Sequence, residues 1–323
     1  MARFILARML QNVFVLFVLI TVMFFLFRLL PGDPIGVMAS ADLPPEARDA
    51  LRAAWGLDRP LSVQFADYIG NLLTGDFGLS FAYQQPVWQV LGPKVLNTLV
   101  LIVPSTILAV ILGCGAGMYL AWYPGRLAER IGSLLPAMIR GVPAFWLGIL
   151  LLMALSYGTG LFPNGGMRSI GSTAPTGLAL YASTDFLWHL TLPLLCLTIT
   201  SLPEPILIMR SSLLQAAGED YIELVRAKGM PERVVLMHAA RNSLLPVATW
   251  VFHMFGYAIA STVLVEVVFA WPGLGREIVS AVTTFDYPVS QAAFFLIAVI
   301  TIGTNFLLDL LYGTLDPRVV ASG

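Results

Sequence analysis

The sequence predicts an all-α polytopic membrane protein with six transmembrane helices and a large extracytoplasmic segment after the first. Three observations predict it. Hydrophobic residues make up 58% of the 323 residues and charged residues only 11%, whereas an ordinary soluble domain is about a quarter charged. The apolar residues gather into long runs, and roughly 20 helical residues at ~1.5 Å each cross a hydrocarbon core. The lysines and arginines of the short connections all fall on one side of those runs, as cytoplasmic loops require.

Three regions follow from this reading: an N-terminal transmembrane helix over 1–30, an outer segment over 31–94, and a five-helix core over 95–323. The first run extends from Met9 to Phe27 behind Arg3 and Arg8 and ends in RLLPGDP. A secretory signal has an apolar core of about 7–15 residues and a small-residue cleavage site, so this run reads as a retained span. In the outer segment, PPEARDALRAAWG reads as a short helix opened by prolines and closed by Gly56. LDRPLSVQFADYIGNLLTGDFGLSF follows, with Phe65, Tyr68, Phe77 and Phe81. It is expected to lie on the membrane surface or to pack over the bundle.

Five further spans are expected near 95–121, 134–157, 189–214, 244–268 and 290–313. Pro104, Pro143, Pro193 and the pair Pro203/Pro205 interrupt them. Such breaks survive in lipid where neighbouring helices or a watery cavity satisfy the freed backbone groups. Arg3 and Arg8, Arg126 and Arg130, then Arg226, Lys228, Arg233 and Arg241, and finally Arg318 share one side if there are six spans. Both termini and the stretch 215–246 are therefore expected in the cytoplasm.

That stretch, QAAGEDYIELVRAKGMPERVVLMHAARNSLLP, is the longest charged passage of the second half. It reads as two short helices joined by a bend. Tyr221, Leu224 and Val225 share a face at i, i+3, i+4 spacing, with Glu219, Asp220, Glu223 and Arg226 elsewhere. Gly229 suits the left-handed position that closes a helix, and Pro231 the first turn of the next.

No catalytic constellation is present. There is no GxxxxGK[ST] phosphate loop, so the chain is not expected to hydrolyse ATP, and Ser105 and Ser211 lack a His/Asp arrangement that would activate them. Cys114 and Cys196 form no CxxC pair, and His189, His238 and His253 are too scattered for a metal cluster. His253 beside Met254 lacks a third ligand and reads as packing. Nothing resembles the basic patch that nucleic acid requires. Among ionisable residues inside spans, Glu204 between Pro203 and Pro205 is the most pointed. It either lines a solute path or pairs with an arginine on another helix. Arg140 and Arg210 read as snorkelling cations, and Glu266 and Asp309 as acids exposed near span ends. Trp271, at the end of span five, reads as an interfacial tryptophan.

The loop EDYIELVRAKG followed by HAARNSLLP resembles the cytoplasmic coupling loop of binding-protein-dependent ABC import permeases, and within them the dipeptide/oligopeptide/nickel branch, first-permease type. RLLPGDP at 28–34, FWLG at 145–148, VEVVFAWPGLG at 265–275, DYPV at 286–289 and DLLYGTLDPR at 309–318 resemble family signatures in family order. The match departs from the general motif at Leu224 and Val225, which stand where other branches have two alanines.

The resemblance implies the type I importer permease fold in the bacterial cytoplasmic (inner) membrane. It implies a heterodimer with a second, similar permease, two ATPase subunits that use ATP and Mg, and an extracytoplasmic substrate-binding protein. This chain itself would bind no cofactor. Peptide cargo is expected, with a nickel chelate or another small solute as the alternative. A secondary transporter, the competing class, would show internal repeats and paired intramembrane charges; no repeat is evident. Glu219, Asp220, Tyr221, Glu223, Leu224, Arg226, Ala227, Lys228, Gly229, His238, Arg241 and Asn242 would form the ATPase-coupling loop. Trp271 and Pro272, with Glu204, are the candidate pathway and gate residues, and the outer segment is a candidate surface for the binding protein or a structural lid.

Overall fold

The computed structural model describes residues 2–29, 44–54, 56–171 and 177–315. Within them the chain is helical apart from turns and one isolated antiparallel bridge, Leu79 to Pro86. In chain order the helices are α1 (Ala2–Leu29), α2 (Pro45–Ala54), α3 (Leu61–Thr74), α4 (Val87–Trp122), α5 (Leu127–Arg140) and α6 (Ala144–Leu151). Then come α7 (Thr184–Ser201), α8 (Pro203–Ala217), α9 (Asp220–Ala227), α10 (Glu232–Val268), α11 (Leu274–Thr283) and α12 (Tyr287–Leu315). A π-helical turn, Leu152–Tyr157, extends α6, and a 3-10 turn, Gly177–Ala182, precedes α7. The RLLPGDP stretch beyond Leu29, and Arg318, lie outside the described residues, as does the side chain of His253.

Among the described residues, four helical stretches are long and apolar enough to cross a membrane: Ile5–Leu29, Val87–Trp122, Thr184–Ala217 and Tyr287–Leu310. A fifth arises if Glu129–Arg140 and Ala144–Tyr157 count together, although they meet at a bend of 102°. The span expected at 134–157 with Pro143 interrupting it is therefore sharply broken. Pro143 lacks an N–H and disfavours the α conformation in the residue before it, so the helix stops at Arg140 and restarts at Ala144. Residues 244–268 are helical, but as the second half of the 37-residue α10. The described residues are thus all-helical, with four to five candidate spans.

Two compact units divide the chain, residues 1–97 with 273–323, and residues 98–272. In the first, α1 and α11 each pack on α12. Phe27, Phe81 and Tyr287 form a buried aromatic cluster. Leu61–Thr74, the expected aromatic stretch of the outer segment, is a helix closed by Gly75 at φ +75°, whose neighbour Asp76 donates its N–H back to Asn71 O. Its rings face α1: Phe65 and Tyr68 lie 5.2 and 5.5 Å from Phe24. Asp286 ties this unit together. Its buried carboxylate accepts from Ser80 Oγ (2.5 Å), Phe81 N (3.1 Å) and Ala82 N (3.0 Å), and it also caps α12 by accepting from Val289 N (3.3 Å).

In the second unit α10 packs along α8 and against α6, and α6 against α7. The approach of α4 to α8 depends on missing side chains. A Cβ on Gly113 would meet Pro205 Cγ at 2.6 Å, and one on Gly117 would meet Ile206 O at 2.6 Å. This is the small-xxx-small spacing by which membrane helices bring their backbones together. One core cluster gathers Phe186, Cys196, Val265, Phe269 and Trp271; another gathers Met209, Leu213, Ile222, Val235 and Ala239.

Candidate functional site

The stretch 215–246 forms the end of α8, the short helix α9, a turn, and the first part of α10. Gly218 and Glu219 break the chain between α8 and α9, and Glu219 stands at the N-cap of α9 in extended backbone. Asp220 and Glu223 sit in its first turn and Arg226 in its last, the polarity that a helix dipole favours. Gly229 follows at φ +71° and donates its N–H to Arg226 O at 2.9 Å, so the left-handed closure is present. Pro231 caps α10 rather than occupying its first turn. The second short helix expected here is the start of α10, because no residue between Glu232 and Val268 stops it; even Pro246 is accommodated.

What anchors α9 differs from the face read off the sequence. Ile222, 0% exposed, is the residue driven into the core, against the cluster containing Met209, Leu213 and Val235, with half-buried Val225 beside it. Burying such a side chain contributes about 1.5–3 kcal/mol. Tyr221 and Leu224 point away from that core, Leu224 with 56% of its surface exposed. The i, i+3, i+4 rule grouped Tyr221, Leu224 and Val225 and passed over Ile222, which at one turn before Val225 belongs to the buried stripe. Arg226 lays its guanidinium 5.7 Å from the Trp122 ring and bridges the turn to Glu232 at 3.5 Å.

All twelve residues singled out for the loop are exposed: Glu219, Asp220, Tyr221, Glu223, Leu224, Arg226, Ala227, Lys228 and Gly229 around α9, and His238, Arg241 and Asn242 along α10. The site is therefore a short helix held from behind by Ile222 that presents two apolar side chains among charges. Such a surface can seat in a complementary cleft and move with it as a rigid element.

The candidate gate and pathway residues are dispersed. Glu204 pairs with Arg140 of α5 at 3.0 Å; the interhelical arginine pair is the arrangement seen. Arg210 is likewise paired, with Glu129 at 2.7 Å, while Glu129 also accepts from Gly125 N at 2.7 Å. Trp271 faces the protein interior. It is 0% exposed, 5.7 Å from Phe186 in the core, and its backbone N–H donates to Glu266 O at 2.8 Å. Preceding Ala270 takes φ +49°, and the loop at Gly165 runs so close that a Cβ there would meet Phe269 O at 2.7 Å. Pro272 is half-buried beside it. Glu266 is not an exposed span-end acid either: it is 0% exposed and accepts from Thr98 Oγ1 at 2.6 Å. Asp309 does keep partial exposure and pairs with Arg8 at 3.4 Å.

Sequence reasoning missed Glu277, buried on α11, which pairs with Lys94 and accepts from the Tyr83 hydroxyl at 3.3 Å. Burial, then the Glu277 charge, pushes the Tyr83 phenol above its ordinary range. It also missed the structural part of Asp286, quoted only within a signature. No group of three or more metal-ligating side chains occurs among the described residues.

A multi-span helical protein with an exposed, core-anchored helix between two long helices is the class that these features define. The chain matches the family described as binding-protein-dependent transport system inner membrane component over residues 109–321, and the N-terminal region of that membrane component over residues 1–102. It is 36% identical to the dipeptide transport system permease protein DppB of Escherichia coli (strain K12), with 99% of each chain covered. It is 35% identical to the glutathione transport system permease protein GsiC of Salmonella choleraesuis, again over 99% of each. The chain belongs to the binding-protein-dependent transport system inner membrane component family. It is a permease, a non-enzymatic transport subunit of an inner-membrane importer, and proteins of this family work with a binding protein, a partner permease and ATPase subunits that use ATP.

Proposed function

We propose that this chain is the first permease of an ATP-driven importer of dipeptides and short oligopeptides. It pairs as a heterodimer with a second, similar permease, and two ATPase subunits and a binding protein complete the assembly. The observation carrying the coupling role is α9, pinned by Ile222 and offering Tyr221 and Leu224 outward among Glu219, Asp220, Glu223 and Arg226. Docked in an ATPase cleft, α9 would pass nucleotide-driven motion to α8 and α10, to which it is joined at both ends. In this reading the second half of α10 and the bent α5–α6 pair complete six spans, with both termini and α9 in the cytoplasm.

The peptide assignment draws on relatives named for dipeptide and glutathione transport; glutathione is itself a short peptide. The test is ATP hydrolysis by the complex purified intact from native membranes with its binding protein. Di- to pentapeptides and glutathione are titrated against nickel chelates. Stimulation by peptides supports the reading and ranks cargo lengths; stimulation by the metal chelate alone overturns the peptide assignment. A complex without any co-purifying ATPase would return the chain to the gradient-driven class.

A further inference from the structure

Apolar packing does not hold α5 in the second unit. Among its described side chains only Pro136 is buried, and none belongs to the core clusters of that unit. Leu127, Ile131, Leu134, Leu135 and Met138 are all exposed, and their spacing puts them on one face. Lipid tails are as apolar as leucine, so such a face gains nothing from a neighbouring helix over lipid. The opposite face carries Glu129, Gly132, Pro136 and Arg140. Gly132 lets α5 come close to α4: a Cβ there would meet Leu120 Cδ2 at 2.5 Å.

Two ion pairs fix that inner face to α8. Glu129 Oε1 accepts from Arg210 Nη2 at 2.7 Å, and Arg140 Nη2 lies 3.0 Å from Glu204 Oε1. Glu129 and Arg140 are 11 positions apart, about three helical turns, so α5 is held towards both of its ends. It gives the acid to one pair and the base to the other. A slip that brought Glu129 towards Glu204, or Arg140 towards Arg210, would therefore meet like charge. The Glu129 and Arg210 side chains are only 20% and 28% exposed, so parting them leaves charges short of water. Past Arg140 the chain bends by 102° into α6 through Gly141, Val142 and Pro143, a short connection of the kind that serves as a hinge. At its other end α8 runs into α9 through Gly218 and Glu219.

We propose that α5 is a hinged arm carried by α8, with Glu129–Arg210 and Arg140–Glu204 as its two clamps. When α9 moves α8, the ion pairs make α5 follow by turning about residues 141–143. The four charged residues are positioning residues, because they act through α5. This rests on the coupling role of α9 given above and names the next body that the motion reaches.

The test uses the complete importer with its binding protein in proteoliposomes and reads labelled dialanine trapped per ATP hydrolysed. Loss of folded complex lowers both quantities alike, so the ratio reports coupling and not stability. Glu129→Gln with Arg210→Gln, and Arg140→Gln with Glu204→Gln, each remove one clamp without leaving a lone charge. The ratio should fall in each, and by about fivefold or more with all four changed, the lower end of allosteric couplings. Arg210→Lys and Arg140→Lys, which keep the charges, should stay near wild type. In parallel, spin labels at Leu127→Cys on α5 and Leu214→Cys on α8 report the distance between the helices with and without vanadate-trapped nucleotide; the native Cys114 and Cys196 are buried. That distance should be the same in both states with the clamps intact, and should differ between them with all four charges removed. An unchanged ratio in the fourfold variant, a distance that changes with the clamps intact, or one that stays fixed without them overturns the proposal. If wild type traps no dialanine, the peptide reading falls and the label distance alone decides the arm. If every variant imports dialanine with wild-type coupling, the importer reading stands and the arm falls.

Discussion

Gly229 offers the sharpest test of the coupling loop, because the structure separates two ways in which a side chain there could do harm. Its φ is +71°, yet a Cβ built on it meets nothing within 4 Å. Any cost of substitution is therefore torsional and not a clash. An L-residue in the left-handed region costs roughly 1–2 kcal/mol, and valine, branched at Cβ, belongs at or above the upper end. That is a factor of about 5–30 in the population of the turn that aims α9. Asparagine visits this region readily, so Gly229→Asn should keep most function. The assay is uptake of a labelled dipeptide into cells, normalised to the permease in the membrane fraction, with ATP hydrolysis by the purified complex alongside. The expected order is wild type, then Asn slightly below, then Val reduced several-fold at equal abundance. Normal uptake by Gly229→Val would refute the loop's role. An Asn variant as poor as Val would show instead that a partner surface touches this position, and the torsional argument would be wrong.

Three other perturbations follow from the packing. Ile222→Ala empties the pocket behind α9 and should cost about 2–4 kcal/mol locally, seen as proteolytic nicking between α8 and α10 with membrane insertion intact; an uncut variant would mean that the helix is held by something else. Asp286→Ala strips the acceptor from three outer-segment donors and from the α12 cap, and at about 1–3 kcal/mol for each buried donor orphaned it should lower the melting temperature of the complex markedly; an unchanged midpoint would count against that network. Trp271→Ala should destabilise by about 3–5 kcal/mol and lose uptake through misfolding, whereas Trp271→Phe should keep both abundance and uptake; a well-folded Phe variant with altered basal ATP hydrolysis would return Trp271 to the gate.

The loop was the most legible part of the chain because its signals are local. Gly229 announces a left-handed position, and acids before and bases after mark a short helix. The short outer helix Pro45–Ala54, opened by prolines and followed by Gly56 at φ +64°, was legible for the same reason, whereas Leu61–Thr74 was noted only for its aromatic residues. Which apolar residue of α9 turns inward was not, since Ile222 and Tyr221 differ by a single step and the choice is made by α8 and α10 packing behind. The break between Arg140 and Ala144 was visible as Pro143, but its 102° bend was not; a proline states where a helix stops and not where the next one points.

The acids make the same argument from the other direction. Position along a span suggested that Glu266 is exposed and that Asp309 is similar, because an unpaired carboxylate in lipid is costly. That cost can be met by water or by a partner, and sequence distance conceals the second option. Thr98 lies 168 positions before Glu266, Ser80 206 before Asp286 and Lys94 183 before Glu277. Each buried acid is matched by a group that only the folded helices bring near.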